Sequence, residues 1–195
     1  MATKGERTRG LLLELATSRF ATAGYQRTSV SEIARQAGLT PAAAYAYFPS
    51  KAALFEAAVD ADADALIDEA TAQLGPGSAR DRLLALVASL VTGVERHPLA
   101  RRVLAGLEPS VMSRLVELPA LARLRALAVE ELRAGQRSGA VRADVDPVAL
   151  ALGLETIVLA VVMIRLQVGS PDEARFDARR RSVVAVLDAA LRPPT

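Results

Sequence analysis

Hydrophobic residues along this chain return every three or four positions, and glycine, proline or small hydroxyl residues interrupt them at short intervals. The first segment, Thr8 to Ala23, brings Leu12, Leu15, Ala16, Arg19 and Phe20 around one face and predicts a helix, with Gly24 just past its end. Ser29-Val30-Ser31-Glu32 fits a capping box and opens a second helix with Ile33, Ala34 and Ala37 on its inner face; Gly38 stops it. After Leu39, Thr40 caps a third short helix, Pro41 to Phe48, with proline at the first position, where a missing amide proton costs nothing. Ser50 caps Lys51 to about Leu74, and Gly75-Pro76-Gly77-Ser78 breaks the chain again. The same grammar predicts helices at Ala79 to Glu95, Leu99 to Ala105, Ser110 to Glu117, Pro119 to Arg137, Pro147 to Gln167 and Asp172 to Leu191. No internal repeat and no alternating pattern long enough for a sheet occurs, so the fold class is all-α.

Composition sharpens this. Alanine, leucine, valine and arginine dominate and aromatics are 4%, as in helical proteins. With no cysteine and one histidine, neither a disulfide framework nor a thiolate metal site can be built, and no cofactor is expected. Met1 to Lys51 carries seven Lys/Arg against three Asp/Glu, while the remainder carries 17 against 19. A small basic unit thus precedes a larger, slightly acidic one, as expected if the first meets phosphate. The charged start, MATKGERTRG, has no apolar export region, which predicts a cytoplasmic protein. Val148 to Val168 is long enough to span a bilayer, but Glu155 and Arg165 lie inside it, so a buried helix and no membrane partner is the reading.

Catalysis finds no support. A Ser-His-Asp hydrolase would have to use His97, yet no nucleophile elbow, Walker loop, dinucleotide fingerprint or metal-ligand spacing occurs. Carboxylate pairs such as Asp62 with Asp64, or Glu130 with Glu131, sit among polar neighbours as solvated faces do.

Two short helices joined by a glycine turn, behind a longer support helix, form a helix-turn-helix arrangement over residues 29–48. Phe20, Gly24-Tyr25, Thr28-Ser29-Val30, Ile33-Ala34, Ala37-Gly38-Leu39, Tyr45, Tyr47-Phe48, Ser50-Lys51 and Leu54 resemble, in order and spacing, the tetracycline-repressor (TetR) family of bacterial transcriptional regulators. The run Gly135 to Gly139 leading to Asp144-Val145-Asp146-Pro147 resembles the same family before its last two long helices. The resemblance implies a DNA-binding domain at residues 1–50 and a helical ligand-binding and dimerisation domain at 51–195. It further implies a homodimer on a double-stranded, pseudo-palindromic operator, acting as a repressor released by a small effector.

For the reading head the resemblance places Tyr45, Tyr47 and Lys51 at the phosphate backbone, and base reading at Pro41, Ala42 and Ala43 with Ser31. The hydroxyls of Thr28, Ser29 and Thr40, at helix starts, suit phosphate too. None of the base-reading residues offers the bidentate bonds that arginine gives guanine or glutamine gives adenine. Small apolar groups can lie against thymine methyls and let the backbone sink into the groove, so reading falls to methyl contact, a serine bond and DNA shape, with Arg7, Arg9 or Arg27 assisting from the flank. So bland a face keeps open a second function, a helical ligand-binding or adaptor protein with weak or lost specific DNA binding.

In the larger unit, Pro147 to Gln167 is apolar around its circumference, and Val183, Val184, Val186, Leu187, Ala190 and Leu191 line the last helix. A homodimer through residues 147–167 and 179–191 would cover them, as a four-helix interface; filling the monomer core is the alternative. Semi-polar residues on apolar helices are the candidates for an effector pocket: His97, Glu108, Met112, Glu155, Thr156 and Met163, around an apolar or amphipathic small molecule.

Overall fold

Helix formation begins at Thr3, whose Oγ1 accepts the Glu6 amide proton at 3.2 Å while Glu6 Oε2 accepts that of Thr3 at 2.6 Å. This capping box starts α1 (Lys4–Arg27) ahead of the expected Thr8. The computed structural model describes residues 3–112, 115–168 and 173–193, except the side chains at 111, 112, 173 and 175. Gly24, at φ 79° and ψ 168°, interrupts α1 in a region open essentially to glycine alone, and one further turn follows it. The capping box expected at Ser29 is absent. No side chain caps α2 (Val30–Gln36), and Glu32 faces Arg19 at 3.9 Å instead of reaching back to the Ser29 amide.

The turn after α2 is a complete Schellman motif. Gly38, at φ 71°, donates its N–H to Arg35 O at 3.1 Å, and Leu39 donates to Ala34 O at 2.8 Å. Thr40 Oγ1 then accepts the Ala43 amide at 3.2 Å and opens α3 (Pro41–Tyr47). Ser50 caps α4 (Lys51–Ala72) as the sequence predicts, and Ser78, in the expected chain break, caps α5 (Ala79–Gly93). A 3₁₀ turn, Val94–Arg96, extends α5, and the chain bends by 102° into α6 (Pro98–Leu104). The helix expected over Ser110 to Glu117 is instead α7 (Pro109–Met112) and a 3₁₀ turn, Leu115–Glu117. α8 (Pro119–Ser138), α9 (Pro147–Val168) and α10 (Glu173–Leu191) complete the chain, with Gly169 and Asp172 outside the described residues. No strand occurs among the described residues, and the fold is all-α.

One continuous core runs the length of the molecule. Around the first three helices it holds Leu12, Phe20, Ile33 and Phe48, and Phe55 of α4 packs edge-on to Phe20 with ring centroids 4.8 Å apart. α4 therefore carries the first helices on one end and contributes Leu66, Ile67 and Ala70 to the core of the rest. α8 packs against α9, α5 against both, and the loop between α8 and α9 is held by Gln136, whose amide donates to Arg142 O and Val145 O at 3.0 and 2.8 Å.

α9 is the one helix among the described residues long and apolar enough to cross a membrane by itself, with mean hydropathy 2.3. Its inner face is buried, but Val148, Leu152 and Ile164 are exposed, as is Val186 on α10. A single chain thus leaves uncovered part of the surface that its composition marks for burial.

Candidate functional site

The outer face of α3 is small and unengaged. Pro41, Ala42 and Ala46 lie exposed on it, Ala43 is half-buried, and Ala44 and Phe48 anchor the opposite side in the core. Of the two tyrosines, Tyr45 projects outward at 45% exposure, whereas Tyr47 packs partly against the core. Thr40 and Ser31 are exposed. The Thr40 hydroxyl accepts from Ala43, which leaves its own proton free to donate. Lys51 Nζ donates to Gln26 O at 3.1 Å and sits 4.6 Å from the centre of the Tyr25 ring, holding an ammonium with further donors beside the start of α4. Arg9 lies over the Phe48 ring at 4.9 Å, and Arg27 donates to Ala23 O at 3.1 Å, so two of the flanking arginines are positioned by contacts within the chain.

Thr28 is a correction to the sequence-based set. It is 6% exposed and its hydroxyl proton goes to Gly24 O at 2.8 Å, closing the interruption in α1, so it has nothing to offer a phosphate. Ser29 is half-buried and its side chain caps nothing.

The same interruption ties the first helices to the rest. Glu108, 5% exposed in the turn between α6 and α7, accepts the Tyr25 amide proton at 3.1 Å and that of Arg102 Nε at 2.7 Å. Without the break at Gly24 the Tyr25 amide would be spent inside α1. Expected as an effector contact, Glu108 instead joins α1 to α6, its Oε1 accepting from both, and it is not among the residues of the cavity described next.

An apolar cavity lies elsewhere, among α4, α5, α6, α8 and α9. A space of about 60 Å³ is walled by residues such as Leu66, Leu90, Val103, Leu104, Leu121 and Val162, and Glu155 is the one charged residue along it. A smaller lobe of about 20 Å³ lies between α5, α8 and α9 and shares Leu90, Leu124, Glu155 and Val158 with the first. Glu155, 5% exposed, is held by Arg125 through two parallel bonds, Nε to Oε2 at 2.8 Å and Nη2 to Oε1 at 2.9 Å. That hydrogen-bonded carboxylate raises the Arg125 pKa above its ordinary value.

Of the six residues expected at the effector, Glu155 alone lines this cavity. His97 is buried between two carboxylates, Nδ1 3.5 Å from Asp62 Oδ1 and Nε2 3.1 Å from Glu69 Oε2. Asp62 also accepts the Leu99 and Ala100 amides at 2.9 and 2.8 Å, so this group fixes the start of α6 and leaves His97 nothing for a ligand. Thr156, one residue on from Glu155 and so 100° around the helix, faces outward and bonds Leu152 O at 2.8 Å. Met163 is half-buried outside the cavity lining, and the Met112 side chain lies outside the described residues. Missed from sequence were the apolar walls themselves and Arg125, whose one signal is a charge set among Leu121, Leu124, Ala128 and Leu132 of α8. No group of three or more potential metal ligands occurs among the described residues.

Comparison with known proteins places these features. Residues 12–58 match the family model of bacterial regulatory proteins, tetR family. Among curated proteins none matches the chain significantly in sequence. Solved structures similar over nearly the whole chain include a TetR-family transcriptional regulator from Cytophaga hutchinsonii, at 19% identity and TM-score 0.70 with 98% of each chain covered. The fatty acid degradation regulator FadR from Bacillus halodurans aligns at 19% identity and TM-score 0.68, covering 96% of this chain and 95% of its own. A candidate transcriptional regulator from Saccharomonospora viridis, in complex with choline, aligns at 23% identity and TM-score 0.64, covering 95% and 97%. At these identities the structures speak for the fold, and the helix-turn-helix segment carries the sequence signature. Residues 12–58 thus carry the sequence signature of the tetR family of bacterial regulatory proteins, and the chain as a whole shares the all-α fold of TetR-family structures.

Proposed function

We propose that this chain is a cytoplasmic repressor that binds a pseudo-palindromic operator as a homodimer and releases it when a small apolar or amphipathic molecule enters the α4–α9 cavity. The observation that carries the reading is a division of labour. The α3 face has no internal role, with Ala42 and Tyr45 exposed and the Thr40 proton free, while the body holds an apolar cavity sharing α4 and α6 with the head. Ser31, Pro41, Ala42 and Ala43 would meet base edges, chiefly thymine methyls, while Thr40, Tyr45, Lys51 and the edge residues Ser29 and Tyr47 hold the phosphates. A second copy set against Leu152, Ile164 and Val186 would cover residues 147–167 and 179–191 and space two heads about 34–36 Å apart, one turn of DNA. The regulator FadR and the choline complex among the structural neighbours support a body built to take a small molecule, without indicating which.

The test is anisotropy titration of the protein against its own upstream DNA over a range of salt. Lys51→Ala should weaken binding to all sequences alike and reduce the salt slope by about one, the share of one phosphate contact. Ala42→Leu should abolish preference for the operator by filling the groove. An Ala42→Leu protein that binds its operator as tightly as the parent would show that α3 is not in the groove. Absence of any salt-dependent complex would favour a ligand-binding protein without DNA function.

A further inference from the structure

Resting on the cavity reading above, we infer that the ligand is a small uncharged hydrocarbon, and that the cavity rejects any molecule bringing a hydroxyl, amine or carboxyl group into it. Leu66, Leu90, Val103, Leu121, Val158 and Val162 are typical of the walls, and the lining holds no hydroxyl, amide or aromatic side chain. Glu155 is the one charged residue along it, and both of its oxygens already accept from Arg125, at 2.8 and 2.9 Å. Its charge is spent within the protein. Backbone groups can be free only at helix ends, and α6, whose Ala100, Val103 and Leu104 line the space, has none to spare. Its Leu99 and Ala100 amides donate to Asp62 Oδ2 at 2.9 and 2.8 Å. At the other end the carbonyls of Arg101, Arg102 and Val103 accept from the amides of Ala105, Leu107 and Gly106 at 2.9, 3.2 and 2.9 Å, and that of Leu104 accepts from the Gln167 side chain at 2.9 Å. The start of α8 is closed in the same way, with the Ala120 amide on Asp60 Oδ1 at 2.9 Å and the Leu121 amide on Leu118 O at 3.0 Å.

A hydroxyl carried into this space leaves its water behind and meets only groups that are already bonded, so its desolvation goes uncompensated. Ordered water cannot stand in, because a buried water needs several polar partners of its own and an apolar cavity stays dry. A charged group fares worse still. Hydrocarbon alone enters without that loss, and it gains the contacts that a void forfeits. Apolar cavities of about 150 Å³ take benzene, so one of about 60 Å³ must widen for a ligand of that size. Two molecules of one shape displace the walls equally, and the ratio of their affinities then reports the polar group alone. Ala63 and Ala100 are the smallest residues of the lining, so selection among hydrocarbons falls to the room left beside them.

Calorimetric titration of the full-length protein with four probes sharing one ring tests this: toluene, phenol, benzoate and benzylammonium. Toluene and phenol exchange a methyl for a hydroxyl at nearly constant shape, and toluene should bind at least about tenfold more tightly, the penalty of one hydroxyl buried without a partner. Neither ion should bind as tightly as toluene. Phenol matching toluene, or either ion exceeding it, overturns the inference, because such binding requires a polar partner that the lining does not offer. Ala100→Leu and Val162→Phe, which fill the space from two different helices, separate this inference from the reading beneath it. Each should weaken toluene binding at least about tenfold, with circular dichroism checking the fold, so that one variant serves if the other does not fold. Phenol preferred by the parent but lost from a filled variant leaves the cavity as the ligand site and sinks only the hydrocarbon assignment. Toluene binding undiminished in a folded, filled variant, or no binding of any probe to the parent, means that the cavity is not the ligand site at all.

Discussion

Replacing Glu108 with alanine removes one carboxylate and orphans two donors at once. The Tyr25 amide loses its acceptor at a part-buried site, at a cost of about 1–3 kcal/mol. The Arg102 guanidinium loses its partner as well, but its side chain is 22% exposed and can turn toward solvent, so the loss falls below the 3–5 kcal/mol of a sealed pair. Together these give about 2–4 kcal/mol of destabilisation, or a melting point lowered by about 5–15 °C for a chain of this length. Glu108→Gln keeps an acceptor for Tyr25 and discards the charge, and should cost about half as much. Urea unfolding followed by circular dichroism, at one fixed protein concentration because association adds to apparent stability, measures both. If Glu108→Ala lies within about 0.5 kcal/mol of the parent, the range of ordinary surface changes, the joint between α1 and α6 does not bear on the fold.

Leu152→Arg places a charge on an outward position of α9 that is 51% exposed in one chain, and on the proposed interface sedimentation at micromolar concentration should show a dimer for the parent and a folded monomer for the variant; a dimer of both would place the interface elsewhere. Glu69 has its pKa held below the ordinary 4.5, first by the Arg96 guanidinium that donates to it and then by His97. A carboxylate with a depressed folded pKa adds stability above its unfolded pKa and loses it as pH falls through the folded value. The stability difference between parent and Glu69→Gln should accordingly be full at pH 7 and shrink as pH falls below the ordinary 4.5 and through the lowered folded value in acid unfolding curves; a difference that does not shrink in acid would mean that the effect is packing.

Most helices were legible because their signals are local. Thr40 with Pro41, and Ser50, cap where the sequence places them, since a cap needs only its own hydroxyl and an amide three residues on. Where two sites offered the same pattern, the choice was tertiary. Thr3 and Glu6 close a capping box at a free end, whereas Glu32 of the second such pattern faces Arg19 from another helix, which a window of four residues cannot contain. The α3 surface was legible for a related reason: on so short a helix Ala44 and Phe48 fix the buried side, and Ala42 and Tyr45 follow outward. The cavity was not, because Leu104 or Val162 reads the same whether it touches another side chain or a space. Polar residues on apolar helices then served as the guide, and a buried acid has more than one use. Glu155 lies along the cavity, but Glu108 and His97 were spent on holding α6, and only the backbone contacts of Tyr25 and Leu99 reveal it.

α6 is short, yet it faces both ways. Ala100, Val103 and Leu104 form cavity wall, while Arg102, between them in sequence, turns to Glu108 and the break in α1. A ligand that widens a space of about 60 Å³ must push back some of its walls, and α6, bent by 102° from α5 and fastened at its start by Asp62, is a wall with a fixed end and a displaceable one. On the proposed function, release of DNA would require the ligand to favour the non-binding arrangement by only about 1–3 kcal/mol, a 5- to 150-fold change in affinity. The Glu108 joint, at about 2–4 kcal/mol, is of the same size, so it is strong enough to drag Gly24 and Tyr25 with α6. Coupling is reciprocal, so operator DNA must weaken ligand binding by the factor with which ligand weakens DNA binding. For any compound that binds the parent, titration with and without operator gives that factor directly, and in Glu108→Gln it should fall toward one while ligand affinity without DNA stays unchanged. A factor equal to the parent's in a folded Glu108→Gln protein would mean that the signal passes along α4 alone, which runs unbroken from Phe55 beside the head to Leu66 and Ile67 at the cavity.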